Sequence, residues 1–287
     1  MLRQLLPRSL NAASVFRKFG KTIGGSVIGS LLVIASPAVA QQSQPKHAAR
    51  AVVELFTSQG CAACPPADAL MCDYAFDSGI VVLTMPVTCW DYLGWRDTLA
   101  NEKFTKRQRT YAKMRGERRI YTPQAVINGD AHLLGSDVVA MRKALAPITP
   151  AAAIASTPAL PLAIDIIPEG EGFRVNITPS MASSPENASI ILAPFYRAQT
   201  VAIGSGENKG SILSYMNVVR DLVPLGTMPT TAAPNTPVTL SLQNIEAMPD
   251  NTDGFAILVQ SGSTATPGRM LGAATFVSAR AQSLPIN

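Results

Sequence analysis

The 287 residues suffice for one large domain or two ordinary ones, and 47% apolar with 15% charged residues can bury a sizeable core, which excludes intrinsic disorder as a global description. The formal charge of +5 equals the contribution of residues 1–40, which hold Arg3, Arg8, Arg17, Lys18 and Lys21 and no acid, so the remainder is neutral. That balance removes the global electrostatic argument for DNA, RNA or an anionic membrane surface as partner.

Residues 1–40 have the pattern of a signal peptide. A basic stretch ends at Lys21, an apolar and small-residue run covers Thr22 to Ala35, and Ala38-Val39-Ala40 forms a small-x-small site before Gln41. The alternative is an uncleaved signal anchor, because the run approaches spanning length. Cleavage after Ala40 implies export to the bacterial periplasm or beyond with no membrane attachment afterwards, in a compartment where disulfides persist. Residues 41–50 are polar, a flexible lead-in.

Val52, Val53, Leu55 and Phe56 make a nearly continuous apolar run, as in a strand buried on both faces, and Thr57-Ser58-Gln59-Gly60 ends it. Pro66 suits a first helical turn, and Ala67, Leu70, Met71, Tyr74 and Ala75 follow at helical spacing. Ile80 to Met85 repeats the buried-strand pattern, and Glu102 to Arg115 predicts a second helix. A strand at Gln124 to Ile127, the hairpin signal Asn128-Gly129, a strand at Ala131 to Leu134 and a helix from Ser136 or Asp137 to Leu145 complete the order βαβαββα. That is the order of the thioredoxin fold, predicted for residues 51–147.

Residues 148–161, rich in Ala, Pro and Thr, have the composition of a linker. Beyond them, strand-like segments recur at 162–167, 173–178, 189–195, 200–203, 218–222, 238–242, 255–261 and 273–277, with no useful helical period. Residues 162–287 are therefore predicted to be a second, all-β domain of sandwich type. Bases exceed acids in residues 41–150 and acids exceed bases in 151–287, an asymmetry suited to docking of the two.

Cys61-Ala62-Ala63-Cys64 falls between the first strand and the first helix, where dithiol chemistry is placed well. Backbone N–H groups at the helix start favour the thiolate of Cys61, which would attack a protein or small-molecule disulfide, and Cys64 would resolve the mixed disulfide. Pro65 and Pro66 lack N–H groups and Ala62 and Ala63 bring no cation, so the Cys61 thiol is predicted to be less acidic than with a histidine between the cysteines. A static structural disulfide is the main alternative. A zinc site has little support, with one CxxC and one histidine, His132, in the ordered region, and copper handling by the reduced pair is weaker still. No metal or cofactor is assigned.

Thr122-Pro123, directly before the third strand, is the candidate substrate-binding edge, with a cis peptide bond as one hypothesis. Cys72 and Cys89 make the cysteine total even and suggest a structural bridge; the competing reading makes Cys89 a third redox thiol. Trp90 and Trp95, in the loop after strand two, are either a substrate platform with Asp91 or Asp97 for proton traffic, or cover for the domain edge. The cations from Lys103 to Arg119 form a solvated helix face or a docking surface for the acidic second half. Asn217, Arg220 and Asp221 are candidates for a buried polar network or an interdomain contact.

The run Val53-Glu54-Leu55-Phe56-Thr57-Ser58-Gln59-Gly60-Cys61-Ala62-Ala63-Cys64-Pro65-Pro66-Ala67-Asp68, the loop Trp90 to Trp95, Tyr121-Thr122-Pro123-Gln124 with Asn128-Gly129, and Asn217-Val218-Val219-Arg220 together resemble the secreted bacterial family called domain of unknown function 1223. The resemblance implies a thioredoxin-like domain followed by a β-domain in an exported protein, with Cys61 and Cys64 as the family's CxxC and Pro123 as its proline before the third strand. It implies no established substrate. The chain departs from the family pattern before the tryptophan loop, where Pro86-Val87-Thr88-Cys89 replaces a His-Val-Asp-Tyr-like run. A non-enzymatic binding or envelope protein with structural disulfides is the rival to a thiol-disulfide oxidoreductase.

Overall fold

The structure, a computed structural model, describes residues 49–146, 160–179, 187–229, 236–243 and 251–282. The signal peptide, nearly all of the lead-in and most of the linker expected from the sequence lie outside these residues.

Strands β1 (Ala51–Thr57) and β2 (Ile80–Pro86) are buried along their whole length and pair in parallel, from Ala51↔Ile80 to Thr57↔Pro86. Helix α1 (Pro65–Tyr74) connects them; its two leading prolines cost no hydrogen bond, because the first N–H groups of a helix have no intrahelical acceptor. Helix α2 (Glu102–Met114) follows, capped by Asn101, whose side chain accepts from the Lys103 N–H. Strand β3 (Gln124–Ile127) runs antiparallel to β1, and β4 (Ala131–Leu134) runs antiparallel to β3. Between them Asn128 and Gly129 both take positive φ, the conformation that an Asn-Gly turn supplies. Helix α3 (Val138–Leu145) is capped by Asp137.

The second half supplies β5 (Leu162–Glu169), β6 (Gly172–Pro179), β7 (Ala188–Ala202), β8 (Ile212–Val219), β9 (Val223–Thr227), β10 (Val238–Leu242), β11 (Gly254–Ser263) and β12 (Thr266–Val277). Segments 189–195 and 200–203, separate in the sequence reading, are one 15-residue strand, β7, and β8 begins six residues ahead of the expected 218–222. The result is mixed α/β and mostly β. A nine-stranded sheet runs β12-β11-β7-β8-β2-β1-β3-β4, with β9 also on β7, and a three-stranded sheet runs β10-β6-β5.

The sequence reading set an α/β domain before an all-β domain of sandwich type; in the structure the two halves are joined through a sheet. Strands from both halves share one sheet, and the described residues all fall within one compact unit. The seam is β2 against β8. Thr84 pairs in parallel with Val218, and its hydroxyl donates to the Met216 carbonyl at 2.7 Å. One hydrophobic core draws Val52, Phe56 and Leu83 from the first half together with Phe195, Val219 and Leu258 from the second. A joint core of this kind makes separation of the halves expose apolar surface on both.

The sheet curls until its far strand returns to the first half. The Met270 N–H donates to the Asn128 carbonyl at 2.9 Å, and a Cβ on Gly129 would clash with the Gly268 carbonyl oxygen. Helix α2 lies within the curl, with Phe104 and Tyr111 in the joint core. Arg107 of α2 forms a buried ion pair with Glu54 of β1, Nε to Oε1 2.6 Å, and also donates to Gln260 of β11 at 2.9 Å. On the opposite face of β1–β3, Leu55, Ala67, Met71 and Met141 seat α1 and α3. The small sheet packs Leu162, Ile164, Val175 and Ile177 against Ile190, Phe255 and Ile257. Of the basic helix, Lys103 also reaches the second half, ion-paired to Asp221 at 2.7 Å, while Lys106, Arg109 and Lys113 stay exposed.

Candidate functional site

The loop after β1 closes on a disulfide between Cys61 and Cys64, with Cα atoms 5.4 Å apart. The Cys64 N–H donates to the Cys61 carbonyl, and Cys64 is the N-cap residue of α1, its carbonyl accepting from Ala67 and Asp68. A buried parallel strand thus delivers the pair to a helix start, where the local dipole favours negative charge on sulfur. Cys64 is fully buried and Cys61 is 4% exposed, while Ala62 and Ala63 between them face solvent.

The Thr122–Pro123 peptide bond is cis. Pro123 is buried at the same end of the sheet as the disulfide. A Cβ on Gly135 would touch Leu55, Ala67 and Pro123 together, and the Gly135 N–H donates to the Pro123 carbonyl. Trp90 bridges the two features. Its Nε1–H donates to the Thr122 hydroxyl at 2.6 Å, and its Cβ lies 3.2 Å from where a Cβ on Gly60 would sit. Tyr92, 76% exposed, stacks against Trp90.

Trp95 turns the other way. Its Nε1–H donates to the Gln59 side chain at 2.8 Å, its ring lies against Gly204 and its Cβ against Gly206, both in the connection between β7 and β8. That connection closes over the CxxC loop from the second half of the chain. The buried Asn208 amide donates to the Gln59 carbonyl at 2.9 Å and to the Cys61 carbonyl at 3.0 Å. Asp97 accepts from the Gln59 and Leu99 N–H groups at 2.8 Å each. Burial raises its pKa, and those backbone donors hold part of the shift back.

Beneath the disulfide lies a group of polar atoms without partners. Asp68 is 3% exposed, and neither carboxylate oxygen makes a hydrogen bond among the described residues; the Thr57 and Tyr215 hydroxyls are likewise unpaired. Asp68 is one helical turn after Cys64, so both project from the same face of α1. Burial pushes the Asp68 carboxyl well above the usual range. The nearby Thr57 hydroxyl offsets this in part, and Asp97 adds to it. The Tyr215 phenol is pushed up by burial and then by Asp68 and Asp97. A protonated Asp68 avoids the cost of an unpaired buried anion.

Cys72 and Cys89 are both free, which corrects the expected bridge. Their surroundings differ. Cys72, on α1, faces Asp68, Asp73 and Arg197, whereas Cys89 sits after β2 near Arg109, Asp91 and Glu102 and packs on the joint core. Burial raises both thiol pKa values, which disfavours their thiolates. Among the described residues no three His, Cys, Asp or Glu side chains gather where they could hold a metal ion.

Asn217, Arg220 and Asp221 do join the halves. Asn217 donates to the Val82 carbonyl, Arg220 donates to the Leu99 carbonyl, and Asp221 takes Lys103. Asp68, Thr57, Tyr215 and Asn208 are site residues that the sequence reading missed. For Asp68 the available signal was its spacing of one helical turn from Cys64; Asn208 carried none beyond a Gly-flanked polar turn.

These features define a class: a mixed α/β protein with a CxxC disulfide at the end of a buried parallel strand, closed over by the hairpin of a shared sheet. A family model described as "Protein of unknown function (DUF1223)" matches residues 52–260, and the chain belongs to that family. The crystal structure of protein AGR_C_4864 from Agrobacterium tumefaciens is similar at 29% identity and a TM-score of 0.66, over 84% of this chain and 98% of that one. HBP35 of Porphyromonas gingivalis is similar in fold, with 10% identity and a TM-score of 0.52 over 82% of this chain and 76% of its own. No curated protein matches the chain.

Proposed function

We propose that the protein is an exported thioredoxin-like thiol-disulfide oxidoreductase whose working pair is Cys61 and Cys64. The strand order β2-β1-β3-β4, with β1 and β2 parallel and β3 and β4 antiparallel, supports the thioredoxin-like reading. The observation that carries the activity is the Cys61–Cys64 disulfide at the start of α1, with the Thr122–Pro123 segment reached through Trp90. In the reducing direction, the Cys61 thiolate attacks one sulfur of a substrate disulfide and the other sulfur leaves as a thiolate. The Cys64 thiolate then attacks Cys61, a second substrate thiolate leaves, and the pair ends oxidised by two electrons. Asp68 is the group placed to take up or give back the Cys64 proton. The signal-peptide pattern of residues 1–40 supports export; among the described residues no helix is long and apolar enough to cross a membrane.

A second reading is a binding or envelope protein in which the disulfide only braces the loop. The burial of both sulfurs and the Asn208 clasp favour it. The reduction potential of the pair, measured in glutathione buffers by mass spectrometry of alkylated peptides, separates the two. A value of roughly −270 to −120 mV supports exchange, and one below about −300 mV refutes it in favour of a structural disulfide.

A further inference from the structure

The β2–β8 seam is narrow: Thr84↔Val218 is its one paired position. At the next step the Asn217 amide takes the place of a backbone rung, donating to the Val82 carbonyl at 2.9 Å. Asn217 holds φ +48° in the middle of β8, a left-handed conformation that asparagine tolerates better than most residues. The β7–β8 pairing breaks at the same place. It runs Phe195↔Val219 and Tyr196↔Val218, then resumes at Ala198↔Met216. Beyond Asn217 the strands part, and a cavity of about 340 Å³ opens between β2, β7, β12 and the end of α1. That is at the lower end of the range for small-molecule sites.

Its walls combine apolar surface from Ala75, Ile80 and Val277 with the polar Asp77, Ser78, Asn217 and Thr275. Into them projects one cation, Arg197, whose placement is built. Its backbone N–H is held by the Asp253 carboxylate at 2.9 Å, its Nη1 donates to the Asn217 side-chain oxygen at 2.7 Å, and its guanidinium lies 5.7 Å from the centre of the Phe76 ring. Arg197 is half-buried and has no carboxylate at ion-pair distance among the described residues; the one carboxylate lining the cavity, Asp77, is taken by Arg50 at 2.9 Å. Burial lowers the Arg197 pKa, a sign that its charge is incompletely solvated. A guanidinium keeps several donors beyond the one given to Asn217, and it matches a carboxylate in a two-bond geometry.

We propose that this cavity binds a small aliphatic carboxylate, its head group paired with Arg197 and its chain against Ala75, Ile80 and Val277. The site is separate from the Cys61–Cys64 pair and does not depend on redox activity.

The test is calorimetric titration of the oxidised full chain with octanoate and with 1-octanol. Octanoate is expected to bind saturably and 1-octanol at least about tenfold more weakly, as loss of a charge-assisted contact implies. Arg197→Met should weaken octanoate by about tenfold or more and leave 1-octanol unchanged, with Arg197→Lys recovering part of the loss. Equal affinity for the two probes, unchanged octanoate affinity in a folded Arg197→Met protein, or a Kd above about 1 mM for octanoate would overturn the proposal. Should Arg197→Met fail to fold, the comparison of octanoate with 1-octanol on the unaltered protein decides alone.

Discussion

Replacing Asp68 by Asn tests the polar group beneath the disulfide directly. The carboxyl is 3% exposed and both oxygens are unpaired, so burial raises its folded-state pKa above the ordinary 3.8. In the window between 3.8 and the raised value, the folded protein holds one proton that the unfolded chain has released. Stability is therefore fully present below the ordinary value and falls as pH rises through the window, by about 1.4 kcal/mol per pH unit for one proton. Asn cannot titrate, so Asp68→Asn should lack this slope. The amide brings its own unpaired buried donors, a constant offset of about 1–3 kcal/mol that does not change with pH. Asp97, also raised, and the thiols of Cys72 and Cys89 remain in both proteins. Urea unfolding of the two oxidised proteins at half-unit steps from about pH 4 upward gives the difference curve. The variant should gain on the parent steadily with rising pH. Parallel curves across pH 4–8 would refute the reasoning, since they would mean that Asp68 is ionised in the fold and has found a counter-charge.

Two further substitutions probe how the halves of the chain are joined. Arg107→Met removes the cation from a buried pair in which Glu54 is fully buried and Arg107 is 4% exposed on its side chain, leaving Glu54 with the Tyr111 hydroxyl, so denaturant unfolding should show a loss of about 3–5 kcal/mol; a loss under about 1 kcal/mol would contradict burial of the charge. Asn208→Ala deletes the two bonds to the Gln59 and Cys61 carbonyls and should cost about 1–3 kcal/mol, while a small thiol reduces the Cys61–Cys64 bond faster because the clasp is gone. A reduction rate equal to that of the parent, followed by alkylation, would show that Asn208 does not cover the pair.

The CxxC between strand and helix, the Asn-Gly hairpin and the order of elements through Leu145 were legible in the sequence, because each depends on neighbours within a few residues. A nearly continuous apolar run marks Val52 to Phe56 as buried on two faces, helical spacing carries Ala67 to Tyr74, and Asn128-Gly129 supplies the turn's positive φ values whatever the rest of the chain does. Those local rules also placed most strands of the second half. They say nothing about which strand lies beside which. Only the tertiary structure set Val218 beside Thr84 and Gln260 beside Arg107, so that two apparent domains share one sheet and one core. The same long-range pairing brings Asn208 over Cys61, seals Asp68 without a partner, keeps Cys72 and Cys89 in different surroundings, and turns Arg197 into a cavity. Burial and pKa are properties of what surrounds a group in space, and part of the surroundings of Asp68, Cys61 and Cys72 comes from segments more than a hundred positions away, through Tyr215, Asn208 and Arg197.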